Sequence, residues 1–400
     1  MALVNKNFSD IITFTRASTA TYFNSAGVLT SAAINAPRLD YNPSTLAAQG
    51  LLIEEARTNS IRNNTMQGAV AGTPGTAPTN WIISTATGNL TTREIVGTGT
   101  ENGITYIDVR FVTSGAFSAS VYTDTSTGVA SLNGQSWTAS YYVKLSGGNL
   151  TNVTVRTSIT EQNSGGTFLA GADSSGFVPT SASLASQRFS QTYTNTNAST
   201  AFEQTRVKVE FTGAGDITLR IGLPQLELGA FATSVIPTTT TALTRAADVA
   251  SVNTLSPWWN ASEGTFYVEG SCGSLANSPI FVMPHDGTSN NYLNAPLLTT
   301  AGLGRLAGVV GGAAWTNVNT ANSTTANTTF KSASAFKASD QAICLNAGTV
   351  ATGANASVPV VTTLKLGDWR TSGNSINGYL RRVTYYPTRL SNAQLQAITA

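Results

Sequence analysis

The sequence predicts a nearly all-β protein: a strand-rich leader, then two β-sandwich domains and one short C-terminal helix. Charged residues make up 10% of the 400 residues while hydrophobic residues reach 41%, so Thr, Ser, Asn, Ala and Gly supply most of the polar surface. Abundant β-branched residues favour pleated sheets over helices. Clusters of turn residues recur about every dozen positions, a spacing typical of short strands in sandwiches.

Four segments alternate apolar and polar residues and are predicted strands: 104–112, 140–145, 205–211 and 216–221. Helix signals are scarce. Near the C-terminus, Ser391 is followed three residues later by Gln394, the pattern of a capping box, so a helix is expected there. Residues 44–56 also carry a helix signal, which Gly50 weakens.

Two changes in composition divide the chain. Residues 66–80 (MQGAVAGTPGTAPTN) have few core-forming side chains, and residues 235–244 (VIPTTTTALT) follow a proline with a polar β-branched tract. We therefore predict a leader at 1–65, a first sandwich at 66–236, a linker at 237–255 and a second sandwich at 256–400.

The composition argues against several classes of function. Lys and Arg number 22 against 20 Asp and Glu, and no basic stripe is present, so nucleic acid is not an expected partner. One His, two Cys and three Met leave little material for metal or redox sites, so we expect no cofactor and no metal. Cys272 and Cys344 are expected to be buried thiols. No apolar run approaches the ~20 residues that span a bilayer, so membrane insertion is not expected, and the first residues show no export signal.

Residues 14–59 contain FTRASTATYFNSAGVLTSAAINAPRLDYNP and GLLIEEARTN. This segment resembles a module of tailed-bacteriophage virion proteins, chiefly tail and head fibres or spikes. The resemblance implies a strand-rich leader that joins the virion or neighbouring protomers.

The charged residues of this leader stand in a region that is otherwise nearly uncharged. We predict that they form structural Arg–carboxylate pairs that anchor the leader; they are Arg16, Arg38, Asp40, Glu54, Glu55 and Arg57. The alternative is that Glu54 and Glu55 are catalytic. Adjacent strand residues point to opposite faces, which argues against two acids flanking one glycosidic bond.

Two further resemblances cover most of the remaining chain. Residues 81–236, with WTASYYVKLSGG, FEQTRVKVEF and GAGDITLRIGLPQLELGAFATSVIPT, resemble the jelly-roll sandwich of carbohydrate-binding modules. The C-terminal region, from TRAADVASV through EGTFYVEGSC, FKASDQAICLNAGTV and LKLGDWRTSGNSINGYLRRV, resembles a concanavalin A-like or laminin-G-like sandwich.

Tests for catalytic residues lead to none. His285 lies in a Gly- and Asn-rich turn, and no G-x-S-x-G motif accompanies it. Glu263 and Glu269 are about 20 Å apart if they lie on one strand, too far for glycoside hydrolysis. Glu203 and Glu210 are seven positions apart and would face opposite sides of a strand.

Sugar binding by β-sandwiches uses exposed aromatic rings together with amide and carboxylate groups. The candidates in the second sandwich are Trp315, Trp258, Trp259, Tyr292 and Trp369. Trp315 stands among Gly and Asn and has the best signal for exposure of the five, but packing against a sheet edge or another protomer is the favoured interpretation. Trp137 and Tyr141 in the first sandwich share a strand face and are expected in the core.

The resemblances imply a bacteriophage fibre or spike protein, assembled in the bacterial cytoplasm and carried on the virion. Its expected partners are other virion proteins, further copies of itself in a homotrimer, and host surface polysaccharide bound without catalysis. One alternative is a particle-borne polysaccharide depolymerase or esterase. Another is an architectural decoration or collar fibre without a ligand.

Overall fold

A computed structural model describes residues 8–371 and 373–400 of the chain. Its leader contains a one-turn helix that the sequence did not predict, followed by short strands. The elements are α1 (Phe8–Ile11), β1 (Thr13–Thr15), β2 (Ala20–Phe23), β3 (Leu29–Ala32), β4 (Leu39–Tyr41), β5 (Ala48–Ile53) and β6 (Arg57–Asn59).

The middle of the chain forms an antiparallel sandwich. Its strands are β7 (Ile82–Ile83), β8 (Leu90–Glu101), β9 (Ile104–Thr113), β10 (Phe117–Tyr122), β11 (Val129–Ala130), β12 (Ser136–Gly148), β13 (Val153–Gln162), β14 (Phe168–Asp173), β15 (Arg188–Thr194), β16 (Phe202–Phe211) and β17 (Gly215–Leu228), with a 3₁₀ helix at Leu184–Ser186. One sheet has the order β14-β13-β16-β10-β7, with β11 also on β16, and the other has the order β15-β12-β17-β9-β8. From β12 to β17 the chain moves repeatedly between the two sheets, so both inner faces contribute to one core.

The C-terminal region forms the second sandwich. Its elements are β18 (Leu243–Arg245), β19 (Val249–Val252), β20 (Glu263–Cys272), β21 (Val282–His285), β22 (Tyr292–Leu298), β23 (Leu303–Val310), β24 (Ala313–Ala314), β25 (Val318–Ser323), β26 (Phe330–Lys337), β27 (Gln341–Leu345), β28 (Ala351–Gly353), β29 (Thr363–Leu366), β30 (Gly378–Tyr386) and α2 (Asn392–Thr399). One sheet has the order β1-β19-β29-β21-β22-β23-β24, with β25 also on β23, and the other has the order β28-β27-β26-β20-β30-β5-β4. The all-β prediction is confirmed.

Three leader strands, β1, β4 and β5, belong to the sheets of the second sandwich, whereas β2 and β3 pair with each other and β6 pairs with β18. β1 pairs with β19, and β5 pairs with β30 on one side and β4 on the other. The predicted linker at 237–255 is extended, but it contains β18, which pairs with β6, and β19. The predicted division into domains stays a prediction, while the pairing shows that both sheets of the second sandwich include leader strands.

Alternation along the strands builds the cores. On β16, Val207, Val209 and Phe211 are buried, whereas Lys208 and Glu210 between them are partly exposed. The predicted strands at 104–112, 140–145, 205–211 and 216–221 lie within β9, β12, β16 and β17. Trp137 and Tyr141 lie in the core as expected.

Residues 44–56 contain strand β5 rather than a helix. Gly50 adopts φ +109°, and a Cβ there would lie 2.4 Å from the carbonyl oxygen of Leu380 on β30. The close approach of β30 therefore requires glycine, and the pairing on both edges of β5 outweighs the local helix signal.

The predicted C-terminal helix is confirmed as α2. Gln394 N donates to Ser391 Oγ, and Ser391 N donates to Gln394 Oε1 at 2.8 Å, which completes the capping box. Cys272 and Cys344 are buried free thiols, as expected. Across the described residues, every helix is too short or too polar to cross a bilayer.

Candidate functional site

A buried network of charged residues joins the leader to the segment that follows the first sandwich. At its centre is Arg38, whose guanidinium donates to Glu54 Oε2 at 2.7 Å and to Asp248 Oδ2. The same guanidinium donates to the hydroxyl of Ser234 at 2.7 Å. The Arg38 side chain is fully buried, so these groups replace its hydration.

Arg16 and Arg245 extend the network on either side. Arg16 Nη1 lies 3.1 Å from Asp248 Oδ1, and Arg245 Nη1 lies 3.1 Å from Glu54 Oε2. Three arginines therefore share two carboxylates. Backbone carbonyls and hydroxyls take further contacts, as where Arg16 donates to Ala33 O at 2.7 Å and Arg245 to Thr233 Oγ1 at 3.1 Å. The Nε atoms of Arg38 and Arg245 have no hydrogen-bond partner among the described residues.

The network keeps Glu54 ionised. Burial alone would raise the pKa of Glu54, but the guanidinium groups of Arg245 and Arg38, with hydrogen bonds from Ser234, lower the pKa to about 2. Burial likewise works to lower the pKa of Arg38, and Glu54 and Asp248 reverse its effect, so that the pKa of Arg38 is raised. Both partners of this pair are therefore charged.

Glu55 and Arg57 form a second, more exposed pair. Arg57 Nε lies 2.6 Å from Glu55 Oε1. The Arg57 guanidinium also packs over the ring of Phe231, 4.6 Å from its centroid, and donates to Leu228 O at the end of β17. The sequence predicted Arg–carboxylate pairs among these residues without assigning partners, and the structure pairs Glu54 with Arg38 and Glu55 with Arg57.

Asp40 departs from the predicted Arg–carboxylate pattern. Its carboxylate accepts hydrogen bonds from Phe23 N at 2.6 Å and from the Tyr379 hydroxyl at 2.7 Å, and no ion pair of Asp40 is found among the described residues. Burial raises the pKa of Asp40, and the Tyr379 bond opposes that rise. Asp40 is therefore held by a tyrosine hydroxyl and a backbone N–H instead of an arginine.

A cleft of about 490 Å³ opens beside this network, where the leader and the two sandwiches meet. Its lining mixes hydroxyl, amide and charged groups with aromatic rings. The polar members include Asp40, Gln49, Glu54, Arg188, Ser190, Thr192, Ser234, Asn327 and Asn377, and the rings are those of Tyr22, Phe23, Tyr142, Phe231 and Tyr379. Clefts between domains that combine ring faces with polar groups are common ligand sites.

The two carboxylates in the cleft are already engaged. Glu54 Oε2 accepts from Arg38 and Ser234 and forms an ion pair with Arg245, and its Oε1 accepts from Ser234 N at 2.7 Å. The oxygens of Asp40 accept from Phe23 and Tyr379. A ligand in the cleft therefore meets positioned hydrogen-bonding groups rather than a free nucleophile and acid.

Trp315, the candidate with the best sequence signal for exposure, is buried. Its side chain is 8% exposed and belongs to the core of the second sandwich. Trp315 N donates to Gly308 O at 2.8 Å, and a Cβ on Gly308 would lie 3.0 Å from the indole. Gly308 thus leaves space for the ring to pack inside.

The other aromatic candidates form separate, half-buried groups. Trp259 stacks on Tyr385 with centroids 5.0 Å apart, and Trp258 meets the same Tyr385 edge-on at 5.3 Å. Tyr292 and Trp369 contact each other edge-on at 4.9 Å in another cluster. The structure does not bring the five candidates together as one platform.

The sequence analysis missed Ser234, Arg245, Asp248 and Tyr379. One signal was available, because Arg245 and Asp248 in TRAAD are charges in a nearly uncharged stretch, as the leader arginines are. Ser234 and Tyr379 gave no such signal, since their roles depend on the approach of distant segments.

No family model and no curated protein sequence matches this chain significantly. Among solved structures, it is similar to the CBM40 of the Ruminococcus gnavus IT-sialidase bound to α2,3-sialyllactose, at 16% identity and a TM-score of 0.32, over 35% of this chain and 84% of that one. A SAP-like pentraxin from Limulus polyphemus is similar at 11% identity and a TM-score of 0.28, over 35% of this chain and 70% of the pentraxin chain. The CBM22 tandem of Paenibacillus barcinonensis Xyn10C is similar at 11% identity and a TM-score of 0.22, over 86% of this chain and 100% of the tandem. At these low values, nothing about the ligand of this chain is inferred from the similarities.

Proposed function

We propose that the protein is a non-enzymatic attachment protein of a bacteriophage particle, and that the cleft between its sandwiches binds a glycan of the host surface. The observation that carries the glycan part is the lining of the cleft. Hydroxyl and amide groups such as Ser190, Thr192 and Asn327 lie beside the partly exposed rings of Tyr22 and Phe231. Pyranoses present hydroxyls at their edge and an apolar face, so this lining suits them.

The virion part of the proposal rests on the resemblance of the leader. In this proposal the protein is assembled in the bacterial cytoplasm, joins other virion proteins and forms a homotrimer. Strand β4 supports self-association because it is an edge strand of its sheet and carries Leu39, which is 55% exposed. Edge strands with exposed apolar residues are sites where another chain can pair. Light scattering should give three chain masses, and a strict monomer would contradict the trimer.

A substitution that fills the cleft tests whether the glycan binds there. Ser190 lies on β15 and lines the cleft, so Ser190→Trp should fill it and abolish binding to host polysaccharide in titration calorimetry or on a glycan array. Ser146 is exposed on neighbouring β12 away from the lining, so Ser146→Trp is the matched control and should bind as wild type does. Equal binding by both variants would contradict the cleft as the glycan site.

One observation favours a second candidate, a polysaccharide depolymerase. Asp40 and Glu54 line the same cleft, and their pKa values are shifted in opposite directions, as in pairs that divide acid and base roles. Shortening of host polysaccharide by the wild-type protein, lost in Asp40→Asn, would replace the binding proposal with this one. A purely architectural role is the third candidate; silence on glycan arrays with strong virion incorporation would favour it.

A further inference from the structure

The cleft between the sandwiches offers a ligand one accessible charge. Among the described residues that line it, Arg188 is the only one with a positively charged side chain, and it is partly exposed. Asp40 and Glu54 also line the cleft, but each is only 5% exposed and its carboxylate oxygens accept hydrogen bonds from the protein. A ligand in the cleft therefore meets a guanidinium more readily than a carboxylate.

Arg188 is held in place by neutral groups. Its Nη1 donates to Thr233 O at 2.7 Å, and its Nη2 donates to Ser140 Oγ at 2.8 Å. The guanidinium carbon lies 5.6 Å from the centroid of the Tyr142 ring, which adds a cation–π contact. No ion pair of Arg188 is found in the part of the chain that the structure describes. Each Nη atom carries two N–H groups, so one N–H on each remains for a ligand.

The position of Arg188 on β15 places it in line with two hydroxyls. Arg188, Ser190 and Thr192 alternate along this edge strand, and all three line the cleft. Alternate residues of a strand face the same side, so this row extends about 14 Å along the cleft. The rings of Tyr22 and Phe231 line the same cleft. An extended ligand with hydroxyls, an apolar face and an anionic group suits this lining.

We propose that the glycan bound in the cleft is acidic, and that its anionic substituent forms a salt bridge with Arg188 while its hydroxyls lie along Ser190 and Thr192. This inference rests on the proposed function and adds the chemical class of the ligand. A planar guanidinium binds carboxylates and phosphates through paired N–H donors, so a uronic acid or a phosphate substituent supplies the anion. A neutral glycan would cover the guanidinium without an opposite charge, which costs free energy.

Chemically modified polysaccharides test the class of ligand on the wild-type full chain. Calorimetry compares capsular polysaccharides that contain uronic acids with the same polymers after reduction of those acids to neutral hexoses. A second arm compares phosphate-substituted polysaccharides before and after dephosphorylation. The acidic form should bind roughly 10–100-fold more tightly than its neutral form, and its affinity should fall as NaCl is added. The arm in which affinity is lost identifies the anion as carboxylate or phosphate.

Variants of Arg188 test the contact itself. Arg188→Gln should weaken binding of the acidic polymer roughly 10–100-fold and leave binding of the neutral form unchanged. Arg188→Lys keeps the charge without the planar fork and should bind between Arg188→Gln and wild type. Arg206→Gln is the matched control, because Arg206 is also partly exposed and lies 5.1 Å from the Tyr122 ring, but it is on β16 and outside the cleft lining. It should bind as wild type does.

The outcomes separate this inference from the proposed function. Equal binding of the acidic and neutral polymers by the wild-type protein would overturn the acidic class and leave glycan binding in place. Wild-type affinity of Arg188→Gln for the acidic polymer would overturn the salt bridge, even where the preference for acidic polymers holds. Failure of the wild-type protein to bind any of the polymers would overturn the proposed function and this inference with it.

Discussion

Arg38 connects several segments in the junction between the leader and the later chain. It contacts Glu54 and Asp248, which belong to different segments, and a backbone carbonyl, Thr21 O, at 3.1 Å. A buried charge of this kind adds little net stability over an apolar core, but removing one partner leaves charges without compensation. Its role is to fix one arrangement of the segments.

Replacement of Arg38 should therefore be costly. Arg38→Met keeps most of the side-chain volume and removes the charge, which leaves Glu54 and Asp248 with fewer partners, and should lower the free energy of unfolding by about 3–5 kcal/mol in urea titrations. Arg110→Met is the control, since Arg110 pairs with Asp216 at 2.7 Å on the surface and should unfold close to wild type. If the urea midpoint of Arg38→Met equals that of the wild-type protein, the charged network does not hold the segments together.

Glu54 should make stability depend on acid pH. Its pKa is about 2 in the folded protein against an ordinary value of 4.5, so the unfolded chain takes up the proton first as pH falls. The ionised Glu54 carboxylate contributes about 3 kcal/mol to the free energy of unfolding. This contribution is present above pH 4.5 and is lost as the pH falls from 4.5 to 2. Urea unfolding at pH 7, 4 and 2.5 should show a smaller loss in Glu54→Gln than in wild type. Parallel pH profiles for the two proteins would refute this assignment.

At the scale of residues, sequence reasoning identified the charged groups better than their partners. Charges in a nearly uncharged leader pointed to Arg38 and Glu54 correctly. Asp248 lies 210 positions from Arg38, and no local pattern encodes a contact at that separation. The burial of Trp315 likewise depends on tertiary structure, because the space beside Gly308 exists only once the sheet forms.

Helix α2 is an element whose local sequence and packing agree. Its capping box satisfies backbone N–H groups at the start of the helix, and Leu395 is fully buried in a cluster with Ala333 and Cys344 of β26 and β27. The helix covers the outer face of this sheet, so its N-terminal cap should contribute to the stability of the second sandwich.

Loss of the cap should be measurable. Ser391→Ala removes the acceptor for Gln394 N and should cost about 1 kcal/mol in the free energy of unfolding. Ser391→Thr keeps a hydroxyl and should lie within a few tenths of a kcal/mol of wild type. Thermal or urea unfolding of both variants measures the effect. An equal loss of unfolding free energy in Ser391→Thr and Ser391→Ala would show that the hydroxyl does not stabilise the helix.

Strand prediction succeeded where alternation was regular and failed where tertiary pairing decided the structure. The segments in β9, β12, β16 and β17 each place apolar residues on one face, which sheets require. Strand β5 has no such pattern, and its strand conformation comes from pairing with β4 and β30.

At the scale of the whole molecule, the leader completes the second sandwich. Phe14, Leu51 and Ile53 of the leader lie in the same hydrophobic cluster as Phe266 and Leu364. Without the leader, β30 and β19 would lose β5 and β1 as neighbours, and apolar surface would be exposed.

A chain of residues 237–400 alone should therefore aggregate or unfold, although it contains the rest of the second sandwich. Co-expression with residues 1–65 as a separate chain should restore solubility, because it returns β1, β4 and β5. Size-exclusion chromatography and near-ultraviolet circular dichroism measure the outcome. A monomeric, cooperatively folding 237–400 chain would show that the leader strands are dispensable.

The sequence by itself determined the fold class, the regular strands, the capped helix and the charged residues of the leader, because alternation, capping and unusual charge are local properties of neighbouring residues. The tertiary structure alone decided which sheets the leader strands enter, the partners of Arg38, the shape of the cleft and the burial of Trp315. These features depend on contacts between segments far apart in the chain, which are selected by the packing of whole sheets rather than by any short pattern.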